Sequence, residues 1–367
     1  MAEKIAIIYG TRPEFLKVFP LIHHFKKNHE EICIINTGQH DSMLTQMEYS
    51  FGILPDFSLS VQNKEYSNSN LIAKLINELS SVVIKENISK IVAQGDTFTV
   101  LASSIVAFME QRKFYHIEAG LRTSTIKLPF PEEYNRRVVS LGSDMNFAPT
   151  ELSKNNLLRE NIPSQKISLV GNTIVDMIHH VLERENIEIS YQNKVFITAH
   201  RRENIGKPLE NIATAIKELA IENPEIEFHW ALHPNPNTRK NILSVFDEKP
   251  QNIIFTEPLD YVEAITKMSA SKLLISDSGG IQEEAPSLQK RVLILRHETE
   301  RPEVLDCGCG ILVGDDSKLI KDNLYKIWNS EKEFGFNNEK NPFGEGNAAE
   351  KIYNKLLEEK GFTYAIT

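Results

Sequence analysis

The stretch YHIEAGLRTSTIKLPFPEEYNRRVVS, residues 115 to 140, carries Glu118, Arg122, Glu132, Glu133 and Arg136 in one turn-rich segment. An apolar run ends at Glu118, the chain turns at Gly120, and after two prolines Glu132 and Glu133 arrive where a helix begins. A further acid, Asp96, closes the earlier run KIVAQGDT. Acids crowded among cations can have pKa values pushed apart, as a site that removes a proton and returns it elsewhere requires. The same residues have a plainer reading. A strand-end aspartate caps the next helix, Glu133 is an exposed first-turn residue favoured by the helix dipole, and Arg122, Arg136 and Arg137 pair with the acids as scaffold. On the residues alone both readings stand.

Positioning these groups falls to a repeated strand-then-helix pattern. Lys4 to Tyr9 is a β-branched run ending at Gly10, after which Phe15, Val18, Phe19, Ile22 and Phe25 recur at helical spacing. EICIINTG, KIVAQGDT, KFYHIEAG, MNFAPT and KISLVGN read as further strands, with helical stretches after several of them. The strands are apolar throughout, which is the mark of a parallel sheet covered on both faces. Past Gly171 the pattern restarts, with five short strands in NKVFITAH, EFHWALHP, NIIFTEPL, KLLISDSGG and RVLILRH. The expected fold is therefore α/β, with two doubly wound Rossmann-like domains facing across a cleft. Residues 1–171 are expected to form the first and 172–346 the second. A hinge is expected near 172–182, and an amphipathic C-terminal helix covers about 347–362.

Ligands bind outside the carboxyl ends of the strands in open parallel sheets, and the polar residues collect there. The first half offers Gly10, Thr11 and Arg12, then Gln39 and His40, then Asp96 and Glu118. The second offers His200, Arg201 and Arg202, then His233, then Ser276 to Gly280, then Arg296 and His297. In SDSGGIQEEAPSL two glycines open a helix whose N–H groups could hold an anion, although serine and glycine there are also ordinary capping. The cationic strand end at His200 to Arg202 tilts the balance towards a diphosphate, which needs both N–H donors and positive charge.

Composition excludes several classes. With 367 residues, 41% apolar and 25% charged, the chain is long enough for two cores. Its formal charge of −9 argues against a general nucleic-acid binder. Three cysteines in no zinc-like spacing suit a reducing cytosol. No apolar run is long enough for a membrane span. Gly308, Gly310 and Gly314 do not follow a strand and open a helix as a dinucleotide fingerprint does, so no NAD is expected. The pairs His23-His24 and His179-His180 point about 100° apart on helices and cannot both grip one metal.

GTRPE with Lys17, TGQH, QGDT, HIEAGLRT, PFPEEYNR, AHRRENIG and SDSGGIQEEAPSL resemble, in order along nearly the whole chain, the non-hydrolysing UDP-N-acetylglucosamine 2-epimerases. The resemblance implies the two-domain fold of one large class of nucleotide-sugar glycosyltransferases (GT-B type), with the C-terminal helix packing back on the first domain. It implies elimination of UDP to a 2-acetamidoglucal intermediate and re-addition, without cofactor or metal. By that likeness Asp96, Glu118 and Glu132 match the family's catalytic acids and His200 its catalytic histidine. Arg12 and Lys17 match nucleotide-side contacts, Ser278, Gly279, Gly280 and Glu284 the diphosphate and ribose site, and His233 and Tyr261 lie near the uridine. The resemblance further implies a homodimer, and activation by substrate at a second site where Gln39, His40 and Gln46 fall. Two alternatives are a hydrolysing epimerase that releases UDP and N-acetylmannosamine, and a glycosyltransferase on the same fold. A related branch on diacetamido uronic acid nucleotides reads GARPQ where this chain has GTRPE.

Overall fold

Runs of β-branched residues such as IAIIY and ICIIN pack well only when both faces are covered, and in a computed structural model of the chain these two form neighbouring strands in the first of two parallel sheets. The structure describes residues 3–38, 42–59, 61, 67–201, 204–330 and 340–358. The chain divides into two units, one of Met1–Met177 with Gly344–Thr367, the other of Ile178–Phe343.

The first unit runs β1 (Ile5–Tyr9), α1 (Arg12–Lys27), β2 (Ile32–Asn36), α2 (Ser42–Ser50), β3 (Phe57–Ser58), α3 (Asn68–Lys85), β4 (Lys90–Gln94), α4 (Phe98–Met109), β5 (Lys113–Ile117), α5 (Glu132–Gly142), β6 (Met145–Ala148), α6 (Glu151–Arg159) and β7 (Ile167–Leu169). Its sheet order is β3-β2-β1-β4-β5-β6-β7. The order reverses between β1 and β4, and it is at such a reversal that a crevice opens beyond the strand ends. The helical face predicted for α1 is realised, with Phe15, Val18, Phe19, Ile22 and Phe25 all buried.

Helix α7 (Thr173–Arg184) carries the chain across the division of the units, which falls within the helix itself. The second unit continues with β8 (Gln192–Thr198), α8 (Lys207–Glu222), β9 (Glu227–Ala231), α9 (Pro236–Leu243), β10 (Ile253–Thr256), α10 (Tyr261–Ala270), β11 (Ser271–Ser276), α11 (Gly279–Glu284), β12 (Arg291–Ile294), α12 (Glu303–Asp306), β13 (Gly310–Leu312) and α13 (Ser317–Trp328). The order β10-β9-β8-β11-β12-β13 repeats the same winding, with its reversal between β8 and β11. The sixth strand, β13, goes beyond the five expected. Three residues are too few to show a period, and it is defined by pairing with β12 through Val292↔Gly310 and Ile294↔Leu312.

Helix α14 (Ala348–Glu358) belongs to the first unit. Its first turn is capped by the Asp176 carboxylate, which accepts from the N–H groups of Ala348 at 3.2 Å and Ala349 at 2.9 Å. Buried Lys90 donates to the Leu356 carbonyl near its other end at 2.8 Å. Tyr353 meets Phe25 of α1 edge-on with ring centroids 4.8 Å apart. Each unit has its own apolar core, around Val100 and Phe114 in the first and around Trp230 and Ile275 in the second. No helix among the described residues is long and apolar enough to cross a membrane.

Candidate functional site

In the first unit the predicted residues gather beyond the switch point. Gly10 ends β1 where the chain passes so close to Thr37 and Thr99 that a Cβ would overlap their hydroxyls, so only glycine fits. Thr11 then caps α1, its hydroxyl accepting from the Glu14 N–H at 3.4 Å. Arg12 follows, half-buried, with no side-chain partner among the described residues. Glu14 turns inward and is 2% exposed. Its carboxylate accepts from the Gly10 N–H at 2.9 Å and from the Thr97 hydroxyl at 2.5 Å. Burial raises its pKa, and these donors oppose the shift. Thr97 in turn caps α4, so Glu14 ties the loop after β1 to the loop that carries Asp96.

Asp96 and Glu118 end neighbouring strands, β4 and β5, which are in register through Gln94↔Ile117. The turn at Gly95 is braced by buried His116, whose Nε2–H donates to the Gly95 carbonyl at 2.7 Å, and burial lowers that imidazole to about 4. The Asp96 carboxylate accepts from the guanidinium of Arg136 at 2.8 Å, and its carbonyl accepts from Asn135 Nδ2 at 2.7 Å. Glu118 pairs with Lys17 of α1, both nearly buried. Its φ of 64° is in the left-handed region. The other non-glycine residues with positive φ lie just past helices or helical turns, whereas Glu118 ends a strand. Such backbone costs about 1–3 kcal/mol and concentrates at functional positions.

Glu132 opens α5, and its Oε2 is a buried oxygen without a hydrogen-bond partner among the described residues. Its neighbour Glu133 departs from the exposed helix-start residue expected of it. The side chain is fully buried and accepts from the Thr123 N–H at 3.1 Å, Arg137 Nε at 2.9 Å and Arg136 Nη1 at 3.4 Å. Arg136 therefore bridges Glu133 to Asp96 and fixes α5 against the β4 loop. Arg122 has a scaffold role, forking onto Glu160 at 2.9 and 2.8 Å.

In the second unit His200 follows β8 and Asp277 follows β11, the two strands at that sheet's reversal. Asp277 is fully buried, and its Oδ2 accepts from the N–H groups of His200 at 2.9 Å and Arg201 at 2.8 Å and from Asn204 Nδ2 at 2.9 Å. Its other oxygen lies 3.3 Å from His200 Nδ1, favouring the proton on that nitrogen. The His200 ring stacks on that of His233, with centroids 5.3 Å apart and planes 7° apart. His233 Nδ1 accepts from the Asn235 N–H at 3.1 Å, which leaves its Nε2 protonated when neutral.

Ser278, Gly279 and Gly280 form the start of α11. A Cβ on Gly279 would stand 2.9 Å from a guanidinium nitrogen of Arg301 and 3.4 Å from one of Arg201, so two cations converge there. Arg301 is held by a buried pair with Glu283 and by Glu300 at 3.2 Å. Tyr261 opens α10 with a buried hydroxyl beside Glu284. Burial, then that carboxylate, raises the phenol well above its ordinary value.

Of the proposed second-site residues, Gln46 is exposed on α2, while Gln39 and His40 lie outside the described residues, as does Arg202. Sequence reasoning missed Glu14, Glu133, Asp277 and Arg301 as organisers. Each is a charged residue near a strand end or helix start, a pattern shared with common caps, and only burial distinguishes them. No cluster of three or more metal-ligating side chains occurs among the described residues.

Residues 23–357 match the family model described as UDP-N-acetylglucosamine 2-epimerase. The UDP-N-acetylglucosamine 2-epimerase of Neisseria meningitidis serogroup A is 39% identical over 374 residues, covering 97% of this chain and all of that one. The crystal structure of the N. meningitidis enzyme bound to UDP-GlcNAc superposes with a TM-score of 0.88 at 38% identity, over 97% of this chain and 100% of that one. A glycosyltransferase from Rickettsia africae shares the fold alone, with a TM-score of 0.60 and 12% identity over 98% and 99% of the two chains, in keeping with the GT-B type. The chain belongs to the UDP-N-acetylglucosamine 2-epimerase family.

Proposed function

We propose that the chain interconverts UDP-N-acetylglucosamine and UDP-N-acetylmannosamine without hydrolysis, by eliminating UDP and adding it back. The observation that carries this reading is the set of Asp96, Glu118 and Glu132 at the carboxyl-end rim of one sheet, with a left-handed backbone at Glu118. The C2 proton has no neighbouring carbonyl to acidify it, so it leaves most readily as the C1–oxygen bond breaks. One carboxylate takes that proton, the C2 electron pair becomes the C1=C2 bond of a 2-acetamidoglucal, and UDP departs with the C1–O pair. In return a protonated acid delivers a proton to the opposite face of C2 as a UDP oxygen attacks C1. Neither direction needs a redox cofactor.

UDP is already a good leaving group, so positioning and charge stabilisation matter more than strong acid catalysis. Arg201 and Arg301 beside Gly279 suit a diphosphate, and bidentate arginine is a strong partner for phosphate oxygens; Arg12 is read as a further nucleotide-side contact. His200, carried by buried Asp277, supplies a proton or a cation to the departing UDP. His233, Tyr261, Ser278, Gly280 and Glu284 complete the nucleotide contacts, and Lys17 holds Glu118 in place. The same reading includes a homodimer, activation by substrate through Gln39, His40 and Gln46, and a cytoplasmic supply of UDP-N-acetylmannosamine to surface polysaccharide synthesis.

The deciding experiment incubates the protein with UDP-N-acetylglucosamine alone in heavy water and follows it by NMR. Deuterium at C2 in a mixture of both epimers, still joined to UDP, is the expected result. Stoichiometric UDP with free N-acetylmannosamine would mean a hydrolysing enzyme. An unchanged substrate would point to a transferase lacking its acceptor.

A further inference from the structure

The loop between β12 and α12 sets one carboxylate among the cations assigned to the diphosphate, and none of the chemistry above uses it. Glu300 Oε2 accepts from Nη1 of Arg296 at 3.3 Å and from Nη1 of Arg301 at 3.2 Å. One oxygen thus serves two guanidinium groups, and both contacts are longer than the roughly 2.7–2.9 Å usual for a charged N–H···O pair. The other side of Arg301 is held differently, its Nε donating to buried Glu283 in a close ion pair. Arg301 is therefore anchored through Nε, while its Nη1 is loosely held. That same Nη1 would stand 2.9 Å from a Cβ on Gly279, where an Arg201 nitrogen also approaches at 3.4 Å.

Neighbouring residues fix the backbone of Glu300. The Thr299 hydroxyl donates to Oε1 of fully buried Gln282 at 2.6 Å, and the Arg301 N–H donates to the Thr299 hydroxyl at 3.1 Å. Gln282 in turn donates to the Ser278 carbonyl at 3.3 Å, so this turn is fastened to the helix that starts at Gly279. The Glu300 side chain is only 12% exposed. Burial pushes its carboxyl up, but the Arg301 and Arg296 cations outweigh burial and hold it below its ordinary value, so it is charged at neutral pH.

We propose that Glu300 is a built-in competitor for Arg296 and Arg301, a carboxylate that limits how tightly the site holds a nucleotide and makes it favour a diphosphate over a monophosphate. This role rests on the diphosphate site proposed above. A phosphate at Gly279 must share Arg301 Nη1 with Glu300 or push the carboxylate aside, and in either case the nearby negative charge lowers affinity. Displacing Glu300 releases two guanidinium groups together, which favours a ligand with two anionic groups over a ligand with one. Limited affinity suits a site that must release its nucleotide sugar.

Glu300→Gln tests this role, because the amide keeps the shape and an acceptor oxygen for the arginines while the charge is lost. Affinities of the full-length natural protein and the variant are measured by calorimetry for UDP and UMP, and by ligand-detected NMR for uridine. UDP is expected to bind the variant about tenfold more tightly, an energy near 1.4 kcal/mol, UMP by a smaller factor, and uridine equally to both. Glu298→Gln removes the same charge from an exposed side chain two residues away and should leave UDP affinity within about twofold. Unchanged or weaker binding of UDP to Glu300→Gln, with uridine unaltered, would overturn the competition and make Glu300 a brace for the arginines. An equal gain for uridine would overturn it as well, since uridine carries no phosphate to compete. Natural protein that binds no UDP would remove the diphosphate site and this role with it. Binding alone is measured, so these failures are distinguishable from failure of the proposed epimerisation.

Discussion

A carboxylate does acid or base work only if its orientation and charge are set by its neighbours, and the first unit sets them differently for each acid. Asp96 is held by Arg136, Glu118 by Lys17, and one buried oxygen of Glu132 has no hydrogen-bond partner among the described residues. Asp96→Asn, Glu118→Gln and Glu132→Gln are therefore each expected to lower turnover by about 10²–10⁴-fold while UDP binding survives. Near-normal rates in all three would remove the acids from the mechanism. Arg136→Lys is a finer test, because an ammonium cannot span Asp96 and Glu133 as the guanidinium does. A misplaced Asp96 should cost about 10²-fold in kcat with KM little changed. An equal rise in KM would instead place Arg136 on the substrate. The placement of these side chains was half legible in the sequence. Asp96, Glu118 and Glu132 stood out by their crowding at strand ends, but Glu133 has the pattern of an ordinary first-turn acid, and its burial depends on Thr123, Arg136 and Arg137 converging through tertiary structure. Asp277 likewise looks like a cap until His200, Arg201 and Asn204 are seen to meet on it.

Elements place these residues through a few close approaches. Gly120, just past Glu118, has φ 94°, and a Cβ there would overlap the backbone carbonyl of Ser153 in α6. Gly120→Ala combines backbone strain with a collision that no rotamer change relieves, so it should destabilise the first unit by more than about 2 kcal/mol. Denaturant unfolding followed by hydrogen exchange in β5 and β6 would read this, and an unchanged midpoint would contradict the packing. Helix α14 depends instead on charge. Burial raises Asp176 to about 6 from an ordinary 3.8, so the folded chain holds this proton more tightly than the unfolded chain. The sign follows: its contribution to stability is fully present below about 3.8 and is lost as pH rises through about 6. Relative to Asp176→Asn, the natural protein should lose roughly 3 kcal/mol over that window, and thermal unfolding of the pair at several pH values measures it. A difference constant in pH would refute the shift. Long strands and the amphipathic face of α1 were readable because period and apolar content are local properties. The short strands β3 and β13 exist only through pairing, which no local pattern records.

At the scale of the whole molecule, two separate apolar cores mean that stability need not be one quantity. Chains of this kind depart from two-state unfolding, and a ligand stabilises the part to which it binds. With the diphosphate assigned to the rim that holds Arg201, Gly279 and Arg301, UDP should act chiefly on the unit built on β8 to β13. At about one hundred times its Kd, a ligand bound only to the folded state adds about 2.7 kcal/mol. Hydrogen exchange resolved by peptide should show that gain in β8, β11 and the turn before α11, with a smaller change near Arg12 and little in β6 and β7. Protection confined to the first unit would move the nucleotide to the acid-bearing rim and reverse the roles assigned to the two sheets. Arg301→Gln sharpens the outcome, since it removes one of the two converging guanidinium groups and breaks the ion pair with buried Glu283. The variant should lose most of the UDP-induced protection in β11, whereas Glu78→Ala, an exposed change on α3, should leave it intact.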